Sequence, residues 1–217
     1  MTPNILYEDN HIIVVYKERG ILAQPDKTGD MDILSIVKTY LKEKYQKPGN
    51  VYLGLVHRLD RNTSGIMVLA KTSKAASRLS KQITNNEFTK RYLTVVEGKI
   101  SKDDVLVSYL SKDEKALKAY INRSGKEAIL SYHVLSCNDN ESYLDIDLKT
   151  GRFHQIRAQL SSINHPLKGD KLYGSTYPKP YFLEAYLLSF YHPITKEELT
   201  FTTCSSDKIS YISNHFN

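Results

Sequence analysis

The chain has 217 residues, enough for one domain or one domain with two lobes and too few for several independent units. Hydrophobic residues at 41% and charged residues at 25% match ordinary globular usage, which excludes wholesale disorder and fibrous architectures. Thirty Lys and Arg against 24 Asp and Glu leave a net charge of +6, a surface suited to polyanions, and two cysteines are too few for a disulfide framework.

The first predicted element is a hairpin over Ile5–Tyr16, two apolar runs around Glu8-Asp9-Asn10 with β-branched residues in the second. Met31–Tyr45 follows as an amphipathic helix, with Leu34, Val37 and Leu41 on one face, Asp30 or Asp32 as cap and Pro48-Gly49 beyond its end. Val51, Leu53 and Leu55 alternate as a strand into the polar turn His57–Gly65, and Ile66–Ala70 resumes the sheet. A second helix runs over Ser73–Asn85 with Ala76, Leu79 and Ile83 on its apolar face and Thr72 or Ser73 as its cap. Tyr92–Val96 is a strand, and Ser101–Lys126, charged and without clear period, reads as sheet edge and loop. Ala128–Ser136 and Tyr143–Leu148 form a hairpin about an Asn/Asp-rich turn. A helix follows Gly151 with Ile156, Leu160 and Ile163 on one face, then a turn-rich stretch, Pro166–Pro180, and two last strands, Ala185–Phe190 and Leu199–Thr203. Strand-heavy order with irregularly inserted helices predicts an α+β fold with a largely antiparallel sheet.

Several chemistries lack their parts. The sequence contains no Gly-x-x-x-x-Gly-Lys, Gly-x-Gly-x-x-Gly, His-Glu-x-x-His or Gly-x-Ser-x-Gly motif, and its seven histidines are scattered, so any catalysis is expected to need no metal and no cofactor. Met1–Asn10 has neither the basic start nor the apolar core of a signal peptide, and no apolar run approaches the ~20 residues of a bilayer span. A cytoplasmic location with no membrane partner is the expectation, and Cys137 and Cys204 read as inert thiols.

Two clusters remain. In His57-Arg58-Leu59-Asp60-Arg61-Asn62-Thr63-Ser64-Gly65 one carboxylate sits between two arginines in a turn joining apolar strands. Neighbouring guanidinium groups favour an ionised carboxylate available as nucleophile or base. The same residues also suit a plain structural turn, with Asp60 capping backbone N–H groups and Gly65 supplying an unusual dihedral. Lys149-Thr150-Gly151-Arg152-Phe153-His154-Gln155-Ile156-Arg157 gathers donors suited to phosphate or to a salt bridge with a catalytic acid; a solvated basic helix start would look similar. Tyr92, after Lys90-Arg91, is either half-buried core or a ring on which a base can stack.

Taken in order, HRLDRNTSG at 57–65, KRYLTVVEG at 90–98, LKTGRFHQIR at 148–157 and HPLKGDKLYG at 165–174 closely resemble the pseudouridine synthases of the RluA/RluD type, which act on structured RNA. The segments at 5–26 and 191–201 extend the likeness over nearly the whole chain. The resemblance implies a pseudouridine synthase fold, a long bent, mostly antiparallel mixed sheet flanked by helices and loops, with a central active-site cleft. It also implies a single catalytic domain over 1–217 with no S4-type RNA-binding module ahead of it, because the catalytic pattern begins at about Ile5. Asp60 matches the family's catalytic aspartate, Tyr92 its active-site aromatic and Arg157 the basic residue paired with the aspartate. Arg58 matches a position that fills the gap left by a flipped base, and His57, Thr63, Arg152, His154 and Lys168 are assigned with it to RNA binding. The implied reaction isomerises uridine in an rRNA or tRNA stem-loop, without cofactor, by a monomer. Lys71, Lys74 and Arg78 are further candidate RNA contacts. Phe153 stands where the family commonly has Thr or Ser, and Ala158-Gln159 where Val-His is frequent, which predicts altered packing or RNA contacts at those points. The rival readings are a noncatalytic RNA-binding protein of the same fold and a nucleoside-processing glycosidase with Asp60 as nucleophile.

Overall fold

The computed structural model describes residues 2–216, and the chain divides into two compact units, each discontinuous in sequence. The first takes Met1–Phe88 and Ala185–Thr203, the second Thr89–Glu184 and Cys204–Asn217. Eleven strands and four α-helices among the described residues, in irregular order, make the architecture α+β, as the sequence pattern predicts.

In the first unit β1 (Asn4–Glu8) and β2 (Ile12–Lys17) are the expected antiparallel hairpin. The Asp9 carboxylate accepts the N–H groups of His11 and Ile12, each at 2.7 Å, and so closes the turn. β2 runs antiparallel to β4 (Ser64–Ala70), β4 also pairs with β10 (Leu183–Tyr191), and β11 (Glu198–Thr202) lies antiparallel on β10. The strand expected from Val51 shrinks to β3 (Gly54–Leu55): Val51 and Leu53 do bury their side chains, but they lie outside the ladder. Helix α1 (Ile33–Lys44) starts at Asp32, whose side chain accepts from Ser35 N–H, and buries Ile33, Val37 and Leu41, so its inner face includes Ile33 in place of the expected Leu34. Helix α2 (Ser73–Thr84), capped by Thr72, sinks Ala75, Leu79 and Gln82. Ala75 and Leu79 join Ile12, Val14, Ile66, Val68 and Phe190 in one apolar core, the main source of this unit's stability.

The second unit orders its strands as β5 (Thr89–Glu97), β9 (Glu141–Leu148), β8 (Lys126–Cys137), β6 (Asp104–Asp113) and β7 (Lys118–Ile121), all antiparallel. The stretch without period, Ser101–Lys126, is the β6–β7 hairpin at the sheet edge. Its alternation is hidden because Val105, Val107 and Tyr109 are apolar on the solvent face. Helix α3 (Gln155–Ser162) is buried nearly all round, Gln155 to Leu160 included. Helix α4 (Lys208–Phe216) is absent from the sequence expectation, although Asp207 caps it through Ser210 N–H at 2.9 Å and Ile212 is wholly buried. No described helix is long and apolar enough to cross a membrane.

Candidate active site

The polar turn of the first unit is held from below by a residue that the sequence presents merely as a strand end. Lys17 closes β2 and is 0% exposed, yet its ammonium is fully hydrogen-bonded: it donates to the carbonyls of Ile21 (2.8 Å), Glu18 (3.1 Å) and Arg61 (3.2 Å). Burial lowers its pKa to about 8, against the opposing pull of the negative charges on Asp60 and Glu18. The turn itself is closed by Thr63 N–H donating to the Asp60 carbonyl at 3.0 Å, and Gly20 N–H donates to the Arg61 carbonyl at 2.9 Å. Thr63 is buried, whereas Arg58 and Arg61 are exposed. Arg61 binds Asp30 at 2.7 Å, and Lys17 is a cation whose field reaches Asp60 within this unit. His57 accepts Val68 N–H at 3.1 Å through Nε2 and sets its ring edge-on to Phe88, tying the turn to β4. The motif ends on glycine for a steric reason. Gly65 has φ +130°, and a Cβ there would stand 2.4 Å from the Ala185 carbonyl oxygen of β10.

In the second unit Arg157 projects from α3 and is 6% exposed; Nε and Nη2 form a two-pronged pair with Asp170 at 2.6 and 2.9 Å. Planar guanidinium suits this fork, and the rings of Tyr173 and Tyr181 lie 4.9 Å from its centre. Arg157 Nη1 also meets His154 Nε2 at 2.7 Å. A guanidinium can only donate, so Nε2 accepts and the His154 proton sits on Nδ1, 3.1 Å from the Tyr173 hydroxyl. Burial first, and the charges of Arg157 and Lys112 next, lower the His154 pKa to about 3, so the ring is neutral and serves as a rigid link. Tyr92 is buried at 7% exposure in β5, opposite Ile146 of β9.

The remaining candidates divide by what already holds them. Lys168 binds Glu141 and covers the Tyr177 ring, Lys71 binds Glu8 at 2.8 Å, and Arg78 donates to the Pro193 carbonyl at 2.8 Å. Lys74 and Arg152 are exposed, with Arg152 Nε resting on the Glu127 carbonyl at 2.8 Å. Asp170, Tyr173 and Lys17 escaped the sequence reading. The first two stand in the HPLKGDKLYG segment, where Gly169 is the visible signal: a Cβ there would lie 2.1 Å from the Lys179 carbonyl oxygen. Among the described residues no three His, Cys, Asp or Glu side chains gather as a metal site.

The Asp60 turn, resting on a buried ammonium, and the Arg157 guanidinium, locked by a second acid, both lie in segments that known proteins share. The model of the RNA pseudouridylate synthase family matches residues 11–162, which take in both the Asp60 and the Arg157 segments. The chain belongs to that family. It is 35% identical to a ribosomal large subunit pseudouridine synthase D of Nitrosomonas europaea over 81% of this chain and 51% of that protein. It is also 35% identical to an uncharacterized RNA pseudouridine synthase of Aquifex aeolicus, over 91% of this chain and 68% of the other. The chain spans 51%, 66% and 63% of the length of three curated relatives it matches. Among solved structures, human RNA pseudouridylate synthase domain containing 4 shares the fold with a TM-score of 0.77 at 20% identity, covering 97% of this chain and 92% of that one.

Proposed function

We propose that this protein isomerises uridine in structured RNA to pseudouridine, with Asp60 as its catalytic carboxylate. The observation that carries the reading is the family match, which includes the HRLDRNTSG and LKTGRFHQIR segments in one continuous stretch. The reaction breaks the N1–C1′ bond, turns the uracil and joins C5 to C1′; the C5 proton is lost, N1 gains one, and the oxidation level is unchanged. It therefore calls for an acid–base and nucleophilic group, a platform for the base and a fixed positive charge, and for no redox partner. Asp60 supplies the carboxylate, acting on the sugar or the ring as nucleophile or base. Tyr92 supplies the ring that stacks on the extruded uracil and assists removal of the C5 proton. Arg157 supplies a guanidinium whose direction is fixed by Asp170 and His154. Extruding the base costs a few kcal/mol, about what stacking and edge hydrogen bonds return. Arg58, exposed on the Asp60 turn, takes the place the base vacates.

Ribosomal RNA is the first substrate to test, because the Nitrosomonas relative is named for the large ribosomal subunit. With rRNA and tRNA labelled with tritium at uridine C5, the protein is expected to release tritium without freeing uracil or changing product mass. Asp60→Asn should bind the same RNA with unchanged affinity and release none. Free uracil would make the protein a glycosidase; tight RNA binding with no tritium release from any uridine would make it a noncatalytic binder.

A further inference from the structure

The second unit carries an open groove of about 580 Å³ between the β6–β7 hairpin, the Ser124–Lys126 turn and Gly151–Phe153. Its rim is basic, with Lys112, Lys126 and Arg152 against Glu114. The positive charge extends beyond the rim: Lys90 is held below the ordinary lysine pKa first by burial and then, against the pull of Asp147, by repulsion from Arg152 and Lys149. Of these five cations Lys112 pairs with Glu114 at 2.6 Å and Lys149 with Asp147 at 2.7 Å, and the positive excess that remains is complementary to a polyanion.

The groove also contains an aromatic ring. Phe153 is half-buried and lies on the His154 ring, with centroids 3.9 Å apart and planes 17° from parallel. His154 is in turn fixed by Arg157 and Tyr173, so the ring has a rigid backing. Lys112 stands 4.9 Å from the Phe153 centroid and is held by Glu114 at 2.6 Å. An ammonium over a ring occupies the seat a nucleobase would take, and it can be exchanged for one.

We infer that this groove binds a single-stranded segment of the substrate RNA, with one base stacked on Phe153 and the phosphates neutralised by Lys112, Lys126 and Arg152. This rests on the proposed RNA substrate and adds a stacking contact beside the Arg157 assembly. On entry the base displaces Lys112 from the ring, and the freed ammonium turns from Glu114 to a phosphate. Glu114 acts as the groove's internal competitor.

The alternative is that Phe153 merely fills the edge of the apolar cluster of Leu110, Ala119, Ala128, Ala158 and Tyr173, against which it also packs. Two substitutions separate the readings. Phe153→Leu keeps the apolar bulk and removes the π face, whereas Phe153→Trp enlarges that face. The probe is a short oligouridylate carrying 2-aminopurine at one position, whose fluorescence is quenched by stacking. Wild type and Phe153→Trp should quench it, while Phe153→Leu should lose the quench and bind about tenfold more weakly at unchanged melting temperature. Glu114→Gln should tighten binding, and Lys126→Ala should lower the salt slope of log Kd by about 1. Equal quenching and affinity in the Leu and Phe proteins would overturn the inference, as would polyglutamate competing as well as oligouridylate. Tritium release by wild type, measured in parallel, keeps the outcomes apart: release with no Phe153 effect sinks the groove alone, and no release with intact binding sinks the proposed isomerase.

Discussion

Lys17 shows how one side chain couples stability and chemistry through its proton. Its folded pKa of about 8 lies below the ordinary 10.5, so between these values the unfolded chain holds more protons and stability rises with pH. Turnover should move the other way, falling as pH passes about 8, because the proton that leaves is the positive charge facing Asp60. Lys17→Met should remove both effects and, by taking the ammonium from the Ile21 and Glu18 carbonyls while Arg61 keeps its bond from Gly20 N–H, cost about 1–3 kcal/mol at neutral pH. Urea unfolding and turnover measured from neutral pH upward would check this; a Met variant with the wild-type profile in both would refute it. Nothing in the local sequence distinguishes this lysine from a solvated one, because its role comes from burial beneath a turn 44 positions further on. Asp60 could be proposed from sequence because its chemistry-bearing neighbours are contiguous in the chain. Asp170 could not, since its meaning lies in the guanidinium 13 residues earlier that it grips.

At the scale of elements, polar side chains decide which secondary structures are tied to each other. Glu8 at the end of β1 receives Lys44 (2.7 Å) and Tyr45 (2.7 Å) from the end of α1 and Lys71 (2.8 Å) from the end of β4. Burial alone would raise its pKa, but these three donors outweigh it and bring the carboxyl down to about 2. A lowered carboxylate contributes stability that is complete above its unfolded value, 4.5, and is lost as pH falls toward 2. Glu8→Gln should therefore cost about 1–3 kcal/mol at neutral pH and nothing near pH 2, with the difference closing across that acid window in denaturant titrations. A constant difference at all pH values would mean that the ionised form contributes nothing. Helices α1 and α2 were legible because each has one wet and one dry face and a side-chain cap, and the hairpin β1–β2 because a polar turn splits two apolar runs. Helix α3 was placed correctly, but its single-face pattern was too narrow. Gln159 is buried because its amide donates to Leu106, Ser108 and Ala128 of β6 and β8, a use of polarity that apolar spacing cannot reveal. The capped α4, with Ile209, Ile212 and Phe216 at helical spacing, carried a signal too short to stand out against the loops before it.

For the molecule as a whole, the order of segments matters more than their number. The chain builds most of the first unit, then most of the second, and then returns: β10 and β11 complete the first and α4 the second. Neither unit has its full set of contacts until the last 33 residues are in place, which makes many stabilising pairings nonlocal and predicts slow folding relative to a helical bundle of this size. The closing role of α4 is specific. Lys208 binds Asp145 of β9, Tyr211 donates to Glu184 at 2.6 Å, and Ile212 is 0% exposed. Placing a carboxylate at Ile212 puts an unpaired charge in an apolar seat, so Ile212→Asp should undock the helix and destabilise by about 3 kcal/mol or more. If the units are separately cooperative, hydrogen exchange will quicken in β5 and β8, which α4 contacts, while β2 and β4 keep their wild-type protection. Equal loss of protection in β2 and β4 would show that the two units unfold as one, and the closing segments would then be parts of a single cooperative structure.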